Sequence, residues 1–199
     1  MAWQDTVALI ALAIYLGTLA WKFLEKAKNG HRVFAVGHGK RGFSKVLEWT
    51  FPLGLAMLFG LVFVTATGWF SPRAFAPWFD APPVHTTGAL LALLGATGFA
   101  WAAHSMRDAF RMGIDTTKTY SLVTRGAFKH SRNPTYVSMW MLFGGYFLLY
   151  PNAFFLGAFV FMVFALSHQI AREEFLLEKT FSEQYLHYKN ATPKYIFFR

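Results

Sequence analysis

Apolar residues fall in long blocks along this chain, and polar residues collect between the blocks. A helix needs about 20 mostly apolar residues to cross the hydrocarbon layer of a membrane. Val7 to Phe23 nearly meets that length, Trp49 to Phe70 exceeds it with Pro52 in its first turn, and His85 to Ala103 makes a third block. Two shorter blocks follow, Val137 to Tyr150 and Ala153 to Ser167, joined by Tyr150-Pro151-Asn152. Pro-Asn is turn chemistry, so these two read as a helical hairpin whose polar ends lengthen each helix. The pattern predicts an all-α integral membrane protein of five transmembrane helices. Residues 1–199 form a single membrane domain, with a two-span region over 1–84 and a core over 85–199. The opening stretch lacks a basic region before its apolar run, so it reads as a first membrane helix rather than a secretory signal.

Composition agrees with this reading. The chain is 55% apolar, 19% aromatic and only 15% charged, with 23 Phe and 7 Trp; a soluble domain carries about 25% charged residues. The net charge of +9 suits an anionic membrane face and gives no reason to invoke nucleic acid. Basic residues also set the topology. Seven surround the first loop, six lie between the third and fourth spans and five occupy the tail, whereas Arg73 stands alone in the second loop. The expected orientation places the N-terminus outside and the C-terminus in the cytoplasm, with a bacterial inner membrane as the expected location. Without cysteine there is no thiolate ligand or thiol nucleophile. The seven histidines show no metal-binding spacing, and no Gly-x-Ser-x-Gly sequence occurs.

Polar chemistry concentrates in three places on the basic side. The loop around residues 25–46 mixes Gly with Lys and Arg but lacks the strand and Gly-Lys-Ser/Thr pattern of a phosphate loop. It reads as a basic loop on lipid headgroups or as a ligand loop. The connector 105–136 is long and carries Phe110, Ile114, Leu122, Val123 and Phe128 along it, with Gly113 and Gly126 allowing tight turns. It ends in Lys-His-Ser-Arg-Asn-Pro-Thr-Tyr, residues 129–136. Asn133 before Pro134 predicts a helix start at Pro134. Arg132 and Asn133 then sit beside free N–H groups and the positive end of a helix dipole, which attract anions; a snorkelling interfacial anchor is the other reading. In the tail from 168 to 199, Ile170, Leu177, Phe181, Tyr185 and Tyr188 recur at helical spacing, with Glu174 among them and Glu173 at the border. An acid on an apolar stripe needs a partner or a use. Arg125, Lys129 and Arg132 are candidate partners for an ion pair; the functional alternative is that Glu174 and Glu173 bind hydroxyls or a cation.

The stretch Leu-Val-Thr-Arg-Gly-Ala-Phe-Lys-His-Ser-Arg-Asn-Pro-Thr-Tyr over 122–136, followed by Arg-Glu-Glu-Phe-Leu-Leu-Glu-Lys-Thr-Phe-Ser-Glu-Gln-Tyr-Leu-His-Tyr from Arg172, resembles the isoprenylcysteine carboxyl methyltransferase family with its bacterial and phospholipid-methyltransferase relatives. The likeness covers roughly residues 100–196, and Phe110 to Thr124 is similar to the bacterial branch. It implies an S-adenosylmethionine-dependent membrane methyltransferase. The cofactor would lie in a cytoplasmic pocket closed by the C-terminal helix, and a lipophilic acceptor would enter from the bilayer: an isoprenyl-cysteine carboxylate, a phospholipid amine or a thiol or isoprenoid. Membrane lipids are the other implied partner; no obligate protein partner is implied. Carried over by position, Leu122, Val123, Gly126, Phe128, Arg132, Asn133, Pro134, Tyr136, Glu173, Glu174, Tyr185 and Tyr188 would bind the cofactor, with Arg132, Tyr136 and Glu174 catalytic. Three positions depart from the pattern: Asn133 stands where many members have His, Ala127-Phe128 replaces Pro-Tyr, and Ser182 replaces the Gly after Phe181. Two other readings stay open, a sterol-reductase-like enzyme using a nicotinamide dinucleotide and a non-catalytic membrane scaffold.

Overall fold

The computed structural model describes residues 2–28, 43–69, 76–109 and 122–196, with main chain alone for 43–54 and Asp108. The described residues form five α-helices and no strand: α1 (Trp3–Lys28), α2 (Phe43–Thr67), α3 (Pro82–Met106), α4 (Pro134–Leu149) and α5 (Ala153–Ala191). Most of the basic first loop, and residues 110–121 of the long connector, lie outside the described residues.

Helix boundaries follow from local chemistry. Two prolines open α3, and Pro134 opens α4 after Asn133, which lies outside the helical region as the residue before a proline tends to. Asn152 caps α5 by accepting from the N–H groups of Phe154 (3.0 Å) and Phe155 (3.1 Å). Pro52 stands well inside α2 rather than in its first turn, because the helix begins at Phe43. The hairpin turn falls at residues 150–152 as expected, but its second arm does not stop at Ser167. The helix continues to Ala191, bent only at Ser182. No Gly or Pro occurs between Gly157 and Pro193, so nothing local ends it where the sequence turns polar.

Helices α1, α3 and α5 are long and apolar enough to cross a membrane. With many large apolar side chains exposed, among them Ile10, Met57, Leu90, Leu94, Phe161 and Phe164, the chain suits hydrocarbon rather than water, and it is an integral membrane protein. Exposed tryptophans mark two levels. Trp3, Trp69 and Trp78 lie near one end of the bundle; Trp21 and Trp101 lie near the other, where Trp21 stacks on His104 at 5.9 Å. Trp3 and Trp21 are separated by about 27 Å of helix at 1.5 Å per residue, close to the hydrocarbon thickness that aromatic belts bracket.

The core is a seam between α3 and α4. Gly88, Ala92 and Gly95 face Ser138, Leu142 and Gly145 so closely that backbone meets backbone. A Cβ on Gly88 would lie 2.8 Å from Leu148 Cβ and 2.9 Å from the Gly145 oxygen, and one on Gly95 would strike the Leu142 amide. This is the small-residue packing by which helices associate where no hydrophobic effect drives them together. Tyr15 joins α1 to the seam, its ring 4.3 Å from Phe99 and 5.0 Å from Phe59 of α2. The seam fixes α4, and α4 carries the polar corner at its N-terminus.

Candidate active site

The chain reaches that corner through a turn that only glycine accommodates easily. Gly126 has φ 62°, and a Cβ there would run into the Ser105 hydroxyl. The same hydroxyl accepts from the Ala127 N–H at 3.1 Å, seating the short 3-10 turn Gly126–Lys129 on the end of α3 and burying Phe128. Ser131 accepts from the Asn133 N–H at 3.0 Å and sets the entry into α4. No side chain caps α4, so its first-turn N–H groups keep their positive dipole end open.

From the other side comes α5. At Ser182 the backbone takes φ 44° and ψ −114°, outside the helical region, which redirects the last turns of the helix. The chain then straps back across the corner. The Arg132 N–H donates to Pro193 O at 2.9 Å, while Ser131 Oγ (3.2 Å) and Asn133 Nδ2 (3.3 Å) donate to Lys194 O. The Tyr195 ring rests 5.2 Å from Trp140.

Glu174 is the centre of what these elements enclose. Its Oε1 accepts from Asn133 Nδ2 at 3.1 Å and lies 3.4 Å from Arg132 Nε; its Oε2 lies 3.3 Å from Lys194 Nζ. The Arg132 Nε–H is close enough for charge attraction but misaligned for a hydrogen bond, and it is buried without an acceptor. Arg132 Nη1 donates to Lys189 O at 3.3 Å. Two cations thus face one carboxylate, leaving the cluster positive. Tyr185, wholly buried, has a hydroxyl with no hydrogen-bond partner. Burial pushes its phenol well above the usual range, and the Glu174 charge adds to that push while Arg132 opposes it. Burial also raises Tyr188, whose hydroxyl donates to Phe128 O at 2.6 Å.

Glu173 enters a second network: its Oε1 accepts from Tyr136 OH at 2.6 Å and from Gln169 Nε2 at 2.9 Å. On the far side of Tyr188, an open groove of about 640 Å³ runs between Leu122 and Thr124 on one wall and Glu183, Gln184, His187 and Thr192 on the other.

The structure therefore brings Arg132, Asn133 and Glu174 into one cluster, joins Tyr136 to Glu173, sets Tyr185 beside the corner and places Tyr188 between the corner and the groove. Pro134 and Phe128 are buried, and Leu122 lines the groove, with the half-buried Val123 next to it in sequence. Of the three proposed partners of Glu174, Arg132 is found there, whereas Arg125 and Lys129 are exposed at the surface. Sequence reasoning missed Lys194 and Gln169. Gln169 had a signal, four residues before Glu173 on one helical face; Lys194 had none, because its place depends on the path of the strap after Ser182. Among the described residues no group of His, Asp or Glu forms a metal set.

Residues 83–184 match the family profile described as Phospholipid methyltransferase. That stretch begins in the first turn of α3 and ends just past the Ser182 bend, so it contains the seam, the corner and Glu174. Compared with curated proteins and with solved structures, the chain shows no significant match.

Proposed function

Because the chain belongs to the phospholipid methyltransferase family, we propose that it transfers a methyl group from S-adenosylmethionine to a lipophilic acceptor at the membrane face where α4 begins. The observation that carries this reading is the convergence of Arg132 and Asn133 with Glu174, across a separation of 41 residues.

The residues present fit the cofactor. Arg132 and Lys194 outnumber Glu174 in charge, and two buried donors, Arg132 Nε and Tyr185 OH, lack acceptors. An amino-acid carboxylate supplies what such a cluster lacks, since unsatisfied buried donors are costly. Glu174 holds the cations in place and offers an acidic edge to the ammonium of the same ligand. The groove between Leu122 and Tyr188 suits the adenosine part, with Val123 beside it and Gly126 keeping the main chain close. Phe128 and Tyr136 provide aromatic faces, which attract a sulfonium by about 0.5–2 kcal/mol. When bound, S-adenosylmethionine supplies an electrophilic methyl group. The protein's part is to position, worth roughly 7–11 kcal/mol in well-oriented reactions, and to exclude water, which the strap over the corner does.

The basic residues favour this face being the cytoplasmic one, and the acceptor would reach it from the surrounding lipid. In mild detergent, Arg132→Ala and Glu174→Ala are expected to abolish S-adenosylmethionine binding by calorimetry while the protein still inserts. Unchanged affinity in both variants overturns the reading, and wild-type binding of a nicotinamide dinucleotide instead would replace it.

A further inference from the structure

At the end of α3 opposite the corner, we propose that His85 is a proton-operated cap: neutral, it closes the start of the helix; protonated, it releases that start and takes Asp80 instead. The inference is independent of the methyltransferase reading. α3 opens with Ala81-Pro82-Pro83, and Ala81 has no side chain with which to cap it. The prolines carry no N–H, so the N-cap amide of Ala81 is the first donor in need of a partner. It donates to His85 Nε2 at 3.3 Å, much as a Glu or Gln near a helix start reaches back in a capping box. The same ring is buried, 3% exposed, and its Nδ1 lies 3.1 Å from Leu148 O. A carbonyl can only accept, so Nδ1 carries a proton in either charge state. Leu148 belongs to the last turn of α4, where carbonyls lack partners within their own helix. The choice therefore falls to Nε2. Besides the Ala81 N–H it faces Asp80 Oδ1 at 3.1 Å. The amide demands an acceptor and the carboxylate demands a donor, and one ring nitrogen cannot be both.

Among the described residues the ring meets one charged group. From α4 it meets main chain, at Leu148; from the segment before α3 it meets Asp80, whose side chain is 86% exposed. Its own helix has no charged residue from Pro82 to Trp101. Asp5 of α1, at the same end, is held by the Tyr150 hydroxyl at 3.1 Å and the Ala2 N–H at 2.8 Å. Contacts on either side bound the motion. The Trp78 N–H donates to Pro151 O at 2.8 Å, and its ring meets Phe147 edge-on at 6.3 Å, which ties the segment to the turn between α4 and α5. Gly88, one turn past His85, packs on Gly145 O and Leu148. The response is thus confined to residues 79–81 and the cap. Histidine is the side chain whose charge changes between about pH 5 and pH 8. Acid on this face of the membrane puts a proton from water on Nε2. The new Nε2–H donates to Asp80, and the Ala81 N–H turns to solvent.

The test is an NMR titration of the full chain in nanodiscs, from about pH 8 to about pH 5, with nitrogen labels on the histidine rings and the backbone. At the alkaline end the His85 ring should be the tautomer with the proton on Nδ1. As the ring charges, the Ala81 amide resonance should move with the same midpoint. Its protection from hydrogen exchange should fall by about 2- to 10-fold, the worth of one net hydrogen bond, while the Trp78 amide stays protected. His85→Gln should show no such transition at Ala81. A ring that carries its proton on Nε2 at the alkaline end, an Ala81 amide unmoved as His85 charges, or the same Ala81 transition in His85→Gln overturns the proposal. So does loss of protection at Trp78 in step with Ala81, because the segment would then lift as a whole. The wild-type titration decides the matter even if the variant fails to fold, and S-adenosylmethionine binding is untouched by either result.

Discussion

The two ends of the work done by α4 are built in opposite ways. Along its length it meets α3 through absent side chains, with Gly88, Gly95 and Gly145 letting backbone touch backbone. At its N-terminus it meets α5 and the strap through long side chains, Arg132, Lys194 and Glu174, that reach several ångströms to find one another. The seam has one geometry, since its contacts are between main-chain atoms that cannot turn aside. The corner is made of long side chains brought together by the strap, Arg132 and Glu174 largely buried and Lys194 about one-third exposed. A rigid platform beneath a rim tied by several hydrogen bonds is what positioning chemistry requires.

The sharpest way to break this contrast is to put side chains into the seam. Gly95→Leu or Gly145→Leu would drive a Cβ into the Leu142 amide or the Ala92 amide. Neither neighbour is a flexible side-chain end, so a loss of more than about 4 kcal/mol is expected, in the class of severe overpacking. Gly157→Leu is the control: no atom lies within 4 Å of its added Cβ, and no loss is expected there, only a gain of up to about 1 kcal/mol from removing a glycine inside a helix. Unfolding titrations in mixed micelles would compare them. Equal stability of the seam and control variants would show that α3 and α4 do not meet as described.

At the corner a smaller effect is expected. Lys194→Met removes one of two cations from Glu174 but leaves Arg132 and Asn133 in place. Lys194 is about one-third exposed, so the ion pair contributes about 0.5–1 kcal/mol after screening. The Arg132 amide, bonded to Pro193 O, should exchange its hydrogen about two- to fivefold faster as the strap opens more often. Seam amides such as that of Leu142 should be unmoved. If they change in step with Arg132, the strap and the platform are one cooperative unit and the contrast fails.

What could be read in advance divides along the same line. The turn at Pro151-Asn152, the start of α4 at Pro134 and the oddity of Glu174 on an apolar stripe are local statements, carried by neighbours in sequence. Arg132 as its partner needed only that the two elements share a membrane face. The α3–α4 register was not legible, because glycines and alanines are scattered through every apolar block and nothing local says which of them meet. Nor was the length of α5. Polarity changes at His168, but a helix ends where backbone chemistry ends it, and the first such signal is Pro193, beyond the bend at Ser182. Lys194 stayed hidden because its place is set by that bend.

The bend permits the finest test. Ser182 holds φ 44° and ψ −114°, a conformation that glycine reaches without steric penalty and other residues reach at about 1–3 kcal/mol. Glycine is also what the resemblance leads one to expect there. Ser182→Gly removes the strain and adds about 0.5–1 kcal/mol of unfolded-state freedom, so a net gain of about 0.5–1.5 kcal/mol is expected, visible as a higher melting temperature. Ser182→Ala keeps the Cβ and removes only an exposed hydroxyl, and it should stay within about 0.5 kcal/mol of the parent. The pair isolates the backbone from the side chain. A glycine variant no more stable than the alanine one would mean that the tail bends at Ser182 without strain, and that the strap is held down by the corner alone.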